Sequence, residues 1–225
     1  MRCQRVVFWC LVLVLACAGW VGAEEIGVRV RWVVDGDTLI VHSGESIRLM
    51  GINAPELGRD DQPGQYYALQ ARECLQDLVQ GEPLFFDPQS SATDRFQRRV
   101  SRLRRADRSS INRMLVEKGA AFVSCRAGQG EEDFHQGLLR AQQRAMQERQ
   151  GFWQHILNMP AAFAPYVGNR RSKRFHTQEC VFGQAIHAGN RRQFSSMQQA
   201  FQAGYAPGRC CSPWPARADK NLKER

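Results

Sequence analysis

Two short runs hold the residues best suited to chemistry: Val33-Val34-Asp35-Gly36-Asp37-Thr38-Leu39-Ile40-Val41, and Ile47-Arg48-Leu49-Met50-Gly51-Ile52-Asn53-Ala54-Pro55-Glu56. Carboxylate and amide oxygens, as on Asp37 and Asn53, are the ligands that hard cations such as calcium prefer. A planar guanidinium, as on Arg48, matches the oxygens of a phosphate group. These residue types together suit a site that holds a cation and a phosphate side by side. Taken singly each is ordinary, since Asp-Gly-Asp-Thr is a tight-turn sequence and one strand arginine is a solvated charge.

The elements that must position them are short. Val28, Val30 and Val34 alternate with arginines, which predicts a strand over 27–34. Asp35-Gly36 is a hairpin turn signal, 38–41 is the return strand, and 47–52 is a third strand after the turn at Ser43-Gly44-Glu45-Ser46. Tyr67, Ala71, Leu75 and Leu78 fall at helical spacing, and Gly81 suits the C-terminal cap. Residues 84–86 and 99–103 read as fourth and fifth strands, 111–118 as a short helix closed by Gly119, and 120–123 as extended. Leu138, Ala141 and Ala145 form one face of a polar helix that ends near Gly151-Phe152-Trp153. Five short strands with helices between and after them predict an α+β fold, a closed five-stranded β-barrel of the OB type with packed helices. Asp37 and Arg48 then lie on neighbouring strands of one meander.

Asp35-Gly36-Asp37-Thr38, Ile47-Arg48-Leu49, Ala54-Pro55-Glu56, Thr93-Asp94-Arg95-Phe96-Gln97-Arg98 and Gly151-Phe152-Trp153, in that order, resemble the motifs of the thermonuclease (staphylococcal nuclease) family over about residues 26–155. The resemblance implies phosphodiester hydrolysis. In that reaction negative charge builds on the phosphoryl oxygens as water attacks, and preplaced cations and a base must meet it. By resemblance, Arg48 and Arg98 clamp the phosphate and Glu56 orients or deprotonates the water. Asp37, the Asn53 side chain and the backbone carbonyl of Ala54 hold calcium. Arg98 must come from a distant loop folded over the site. Two residues depart from the family pattern. Asn53 stands where an aspartate is usual, which predicts weaker calcium binding. Gln97 stands where a glycine is usual, which predicts a stiffened or re-aimed loop around Arg98.

A second resemblance covers about residues 175–213. Phe175-His176 with Cys180, Phe194-Ser195-Ser196, and Ala203-Gly204-Tyr205-Ala206-Pro207-Gly208-Arg209-Cys210-Cys211 are similar to a small Ada-type zinc-binding module. His176, Cys180 and Cys211 match its ligands, and Gly208 sits where a third cysteine is expected. Cys210 substitutes only with a changed loop, because adjacent residues do not naturally point at one metal. Zinc and a disulfide from Cys180 to Cys210 or Cys211 are both open. The module reads as an appendage, so a chain ending near residue 160 is expected to keep cleaving DNA.

The N-terminus reads as a leader. Arg2 and Arg5 precede an apolar run over 6–16, and Val21-Gly22-Ala23 is a cleavage-type site before Glu24-Glu25. Processing after residue 23 would lower the formal net charge from +9 to +7 and leave five of the eight cysteines. Lipid anchoring at Cys17, after Val14-Leu15-Ala16, is the alternative. The expected organisation is a leader over 1–23, a nuclease-like domain over 24–156, a linker over 157–174, a Cys/His module over 175–215 and a basic tail over 216–225. The function expected is an exported, periplasmic or secreted, monomeric calcium-dependent nuclease acting on DNA and RNA with little sequence preference. Two other classes stay open. One is an inactive OB-fold module that binds nucleic acid through Arg95, Arg98, Arg99, Arg102, Arg104 and Arg105. The other is a basic surface protein that grips anionic envelope polymers.

Overall fold

The structure, a computed structural model, describes residues 27–58, 63–87, 92–124 and 132–216 of the 225. The leader with Cys17, Cys125, and the tail after residue 216 lie outside the described residues. Strands in the first half are β1 (Val30–Asp35), β2 (Thr38–Val41), β3 (Ser46–Leu49), β4 (Ile52–Asn53), β5 (Phe85–Phe86), β6 (Ala92–Thr93), β7 (Arg99–Ser101), β8 (Leu103–Arg104) and β9 (Phe122–Val123). Strands β1 and β2 form the hairpin predicted around Gly36. A Cβ on Gly36 would lie 2.6 Å from the Ala54 Cβ and 2.7 Å from the Ala71 Cβ, so only glycine lets this turn pack so closely.

Strand β3 runs antiparallel to β2 with Arg48 opposite Thr38. Strand β7 joins the far side of β3 in parallel, with Val100 opposite Arg48. The sheet order is β1-β2-β3-β7-β6, while β4–β9 and β5–β8 form separate two-stranded pairs. The fold is α+β, but no closed five-stranded barrel forms among the described residues. The third strand breaks at Met50-Gly51, where Gly51 takes a φ of 77°. Its continuation, β4, turns away to pair with β9.

Helix α1 (Ala68–Val79) buries Ala71, Leu75 and Leu78, the predicted stripe. Helix α2 (Ile111–Glu117) is capped by Ser110, whose hydroxyl accepts the Arg113 N–H. Helix α3 (Glu132–Gln147) has Glu132 and Asp133 in its first turn and Arg144 in its last, matching the helix dipole. These helices and the sheet enclose a first core that includes Leu39, Ile47, Leu49, Leu75 and Leu115.

Helix α4 (Trp153–Ile156) leads into strand β10 (Tyr166–Asn169), then β11 (Arg174–Thr177), helix α5 (Val181–Gln184), β12 (Arg191–Phe194), helix α6 (Met197–Gln202) and β13 (Ala206–Pro207). The second sheet has the order β12-β10-β11-β13. The segment expected to be a linker, 157–174, therefore contains an interior strand. Pro160 opens a 3₁₀ turn that feeds β10, and the basic run makes the tight turn over 170–173, with Lys173 at a φ of 53°, before Arg174 starts β11.

The two halves share a second core. Phe122, Phe152 and Trp153 from the first half pack with Phe175, Phe201, Tyr205 and Trp214 from the second. Phe201 lies 5.7 Å from Phe122 and 4.9 Å from Trp153, ring centre to ring centre, in edge-to-face geometry. The fully buried Gln142 staples three elements. Its carbonyl accepts the Val123 N–H at 2.7 Å, and its amide donates to the Phe201 carbonyl at 2.7 Å. The C-terminal module is thus built into the molecule rather than appended to it.

Candidate active site

The site begins at the β1–β2 turn. Asp37 is 7 % exposed, and its Oδ2 accepts the Ala54 N–H at 2.7 Å and meets Arg48 Nη2 at 3.0 Å. The same guanidinium donates to Asn53 Oδ1 and to the Leu49 and Ile52 carbonyls. Arg48, Asp37, the Asn53 side chain and the Ala54 N–H therefore meet at one point. The Thr38 hydroxyl donates to Asp37 Oδ1 at 3.1 Å and lies 3.4 Å from Arg98 Nη1, which donates to it. One hydrogen-bonded chain links Arg48, Asp37, Thr38 and Arg98.

The distant loop that carries Arg98 is the β6–β7 turn, 60 residues beyond Thr38. Strand β7 lies beside the strand that carries Arg48, and Arg98 immediately precedes it. Asp94 organises the β6–β7 turn. Its Oδ1 accepts the Phe96 and Arg98 N–H groups, and its Oδ2 accepts Arg98 Nε at 2.9 Å. Burial works against the Asp94 charge, but the hydrogen bonds from Arg98 outweigh it and hold the carboxyl below its usual range. Gln97 adopts a φ of 61°, the left-handed conformation that explains why glycine suits this position. The loop keeps the turn and still aims Arg98 inward.

Glu56 is exposed on the rim. Its backbone is held at both ends by Gln65, whose side-chain oxygen accepts the Glu56 N–H at 2.8 Å and whose N–H donates to the Glu56 carbonyl at 2.9 Å. Asp37, Arg48, Asn53, Ala54, Glu56 and Arg98 all line one cleft of about 680 Å³.

Asp35 also lines this cleft, 8 % exposed, with its Oδ1 accepting the Asp37 N–H at 3.0 Å. Burial, and then the neighbouring Asp37 carboxylate, push it up to about 7. Two buried carboxylates and an amide oxygen against one partly buried guanidinium form a set of hard oxygen donors. That set fits a calcium-like ion. Asp35, Thr38, Asp94 and Gln65 carry no role in the sequence reading. Asp35 and Asp94 stand inside quoted motifs, whereas nothing in the sequence marks Gln65. Phe96, 59 % exposed, stands at the cleft with the Arg95 and Arg98 guanidiniums over its ring.

The cysteine module presents a second cluster. His176, Cys180, Cys210 and Cys211 bring their ligand atoms within 4.8 Å of one another. The Cys180, Cys210 and Cys211 sulfurs lie 3.5, 3.7 and 3.3 Å from His176 Nδ1, and Cys210 lies 3.5 Å from Cys180 and 3.7 Å from Cys211. Zinc-to-ligand distances of 2.0–2.3 Å give tetrahedral edges of about 3.5–3.8 Å, so the donor set fits a closed four-ligand metal site.

The adjacent Cys210 and Cys211 do reach one point, contrary to expectation. They end a 3₁₀ turn, Arg209–Cys211, which swings successive side chains toward His176. Gly208 makes this possible, since a Cβ there would lie 2.5 Å from His176 Cε1. Burial, then Arg174, lowers the His176 pKa and keeps its ring neutral, as a ligand requires. Burial also pushes Cys211 up to about 12, while hydrogen bonds from Cys211 and the Gly183 N–H draw Cys180 down despite its burial. No disulfide joins Cys180, Cys210 or Cys211.

Among the described residues no helix is long and apolar enough to cross a membrane. Two curated relatives, from Escherichia coli O157:H7 and from Escherichia coli, are each 29% identical over 168 residues, covering 71% of this chain and 95% of theirs, and each bears the name "Uncharacterized endonuclease". The family description "Staphylococcal nuclease homologue" matches residues 46–155, a span that contains Arg48, Asn53, Glu56 and Arg98 and that β2–β3 pairing joins to Asp37. Over residues 46–155, close to half its length, the chain is thus similar to the staphylococcal nuclease family.

Proposed function

We propose that the protein is a calcium-dependent nuclease that hydrolyses phosphodiester bonds in DNA and RNA with little sequence preference. The observation that carries this reading is the continuous chain Arg48–Asp37–Thr38–Arg98 in one cleft with Glu56 on its rim. Asp37, Asn53 and the Ala54 carbonyl would hold calcium, which when bound supplies positive charge to the phosphoryl oxygens. Arg48 and Arg98 present N–H groups to those oxygens and meet the charge that grows in the transition state. Asp94 and Thr38 keep Arg98 in place before substrate arrives, so little reorganisation is needed. Glu56 takes the proton of the attacking water, on a loop that Gln65 holds still. Backbone phosphate contacts carry no base code, which accounts for low sequence preference.

The leader reading supports export, to the periplasm or beyond, and the protein is taken to act as a monomer. In the Cys/His cluster we assign zinc in preference to a disulfide, because one histidine and three sulfurs close a tetrahedron. The test is a gel assay of purified protein on DNA and on RNA, with calcium and with chelator. Cleavage of both in calcium, lost in chelator, is the expected result. Binding without cleavage would favour the inactive-module reading, and no affinity at low salt would favour the envelope-binding one.

A further inference from the structure

The cleft is not built by the nuclease domain alone. Arg174 on β11, Arg209 on the 3₁₀ turn and Trp214 beyond it also line it. Resting on the nuclease reading, we propose that Arg209 and Arg174 form a second phosphate subsite, by which the C-terminal module grips the nucleic-acid backbone next to the bond being cut.

Four observations carry this. First, Arg209 is a cation held on a firm base. Its turn follows β13, the Gly208 N–H donates to the Phe175 carbonyl at 2.8 Å, and the cluster members Cys210 and Cys211 come directly after it. Second, its side chain is available. It is 80 % exposed, and its ion pair, with Glu56, spans 3.9 Å to a carboxylate that is itself 58 % exposed. Such a loose exposed pair holds weakly and exchanges readily for a phosphate, which accepts a guanidinium in bidentate fashion. Third, Arg174 is fixed nearby by its own donation to the Ser124 hydroxyl at 2.9 Å, at the end of β9. Fourth, the wall is tied to the catalytic rim. Trp214 Nε1 donates to the Tyr66 carbonyl at 3.0 Å, the Tyr66 N–H donates to Pro215, and Ala216 bridges to Gln65, the residue that holds Glu56. The module therefore presents two arginines beside the groups proposed to act on the phosphodiester. A strand whose one phosphate lies at Arg48 and Arg98 would offer its neighbouring phosphate to Arg209 and Arg174.

The test uses full-length protein: wild type, Arg209→Ala, Arg174→Ala, and Arg140→Ala as a charge control on α3 outside the cleft. Binding of a labelled single-stranded oligonucleotide of about ten nucleotides is followed by fluorescence anisotropy without calcium. Cleavage of the same oligonucleotide and of a thymidine nitrophenyl phosphodiester is followed with calcium. Each cleft variant should weaken oligonucleotide binding about three- to tenfold and lower the salt slope by about 0.7, the loss of one backbone contact. KM for the oligonucleotide should rise more than KM for the small ester, and Arg140→Ala should match wild type. Unchanged binding and salt slope in both cleft variants would overturn the proposal. So would an equal fall in kcat on both substrates with KM unmoved, which would show Arg209 acting only through Glu56. If wild type cleaves neither substrate yet binding still falls in the variants, the nuclease reading fails while the subsite stands.

Discussion

Replacing Phe201 with alanine probes whether the two halves fold as one. Phe201 is fully buried on α6, with ring centres 5.7 Å from Phe122, 4.9 Å from Trp153 and 5.2 Å from Phe175. Two of those partners belong to the nuclease half. Truncating a buried phenylalanine costs about 3–5 kcal/mol, the lost transfer energy plus the cavity left behind. Edge-to-face pairs of this kind contribute about 0.5–1.5 kcal/mol each within that total. For a chain of this size each kcal/mol lowers Tm by about 2–4 °C, so Phe201→Ala should lower it by about 6–20 °C. Differential scanning calorimetry should show one transition shifted as a unit, and nuclease activity should vanish at the same lowered temperature. Two transitions, with the one that carries activity left at the wild-type temperature, would refute the shared core and restore the appendage reading.

Ending the chain near residue 160 should be more severe, giving insoluble or unfolded protein, because Phe152, Trp153 and Phe122 lose Phe201 and Trp214 together; a soluble truncation with native Tm and activity would contradict this. Arg98→Ala and Glu56→Ala should each lower turnover by a factor of about a hundred or more with the fold kept, measured by kcat and thermal melting; full activity in both would remove the assigned mechanism. Asn53→Asp should lower the calcium concentration for half-maximal activity, by about three- to tenfold, because it adds a charged oxygen beside Asp37; an unchanged or higher value would take residue 53 out of the ion's shell. Gly208→Ala should weaken zinc retention by about tenfold or more, since the new Cβ displaces the His176 ring; stoichiometric zinc after dialysis would argue against the assigned cluster.

Much of the site was legible in the sequence because it is local. Asp35 ends β1, Asp37 closes the two-residue turn after it, and Arg48 follows one strand later. Residues 53 to 56 are tied back by the Ala54 N–H, so the motifs and the geometry coincide. The helical stripe of Ala71, Leu75 and Leu78 and the cap at Ser110 come from the same short-range rules. Tertiary structure decided the rest, and in each case the partners are far apart along the chain. Arg98 reaches Thr38 because β7 pairs with β3, a contact between residues about fifty apart that no periodicity encodes. The barrel opens because Gly51 diverts β4 toward β9. The supposed linker becomes an interior strand because β11 and β12 supply hydrogen bonds on both of its sides. Cys210 and Cys211 both face His176 because a 3₁₀ turn and a missing Cβ at Gly208 leave room for them. Local spacing sets which groups can act together. Which wall stands beside them, here one bearing Arg174 and Arg209, depends on apolar rings from both halves of the chain finding a common core.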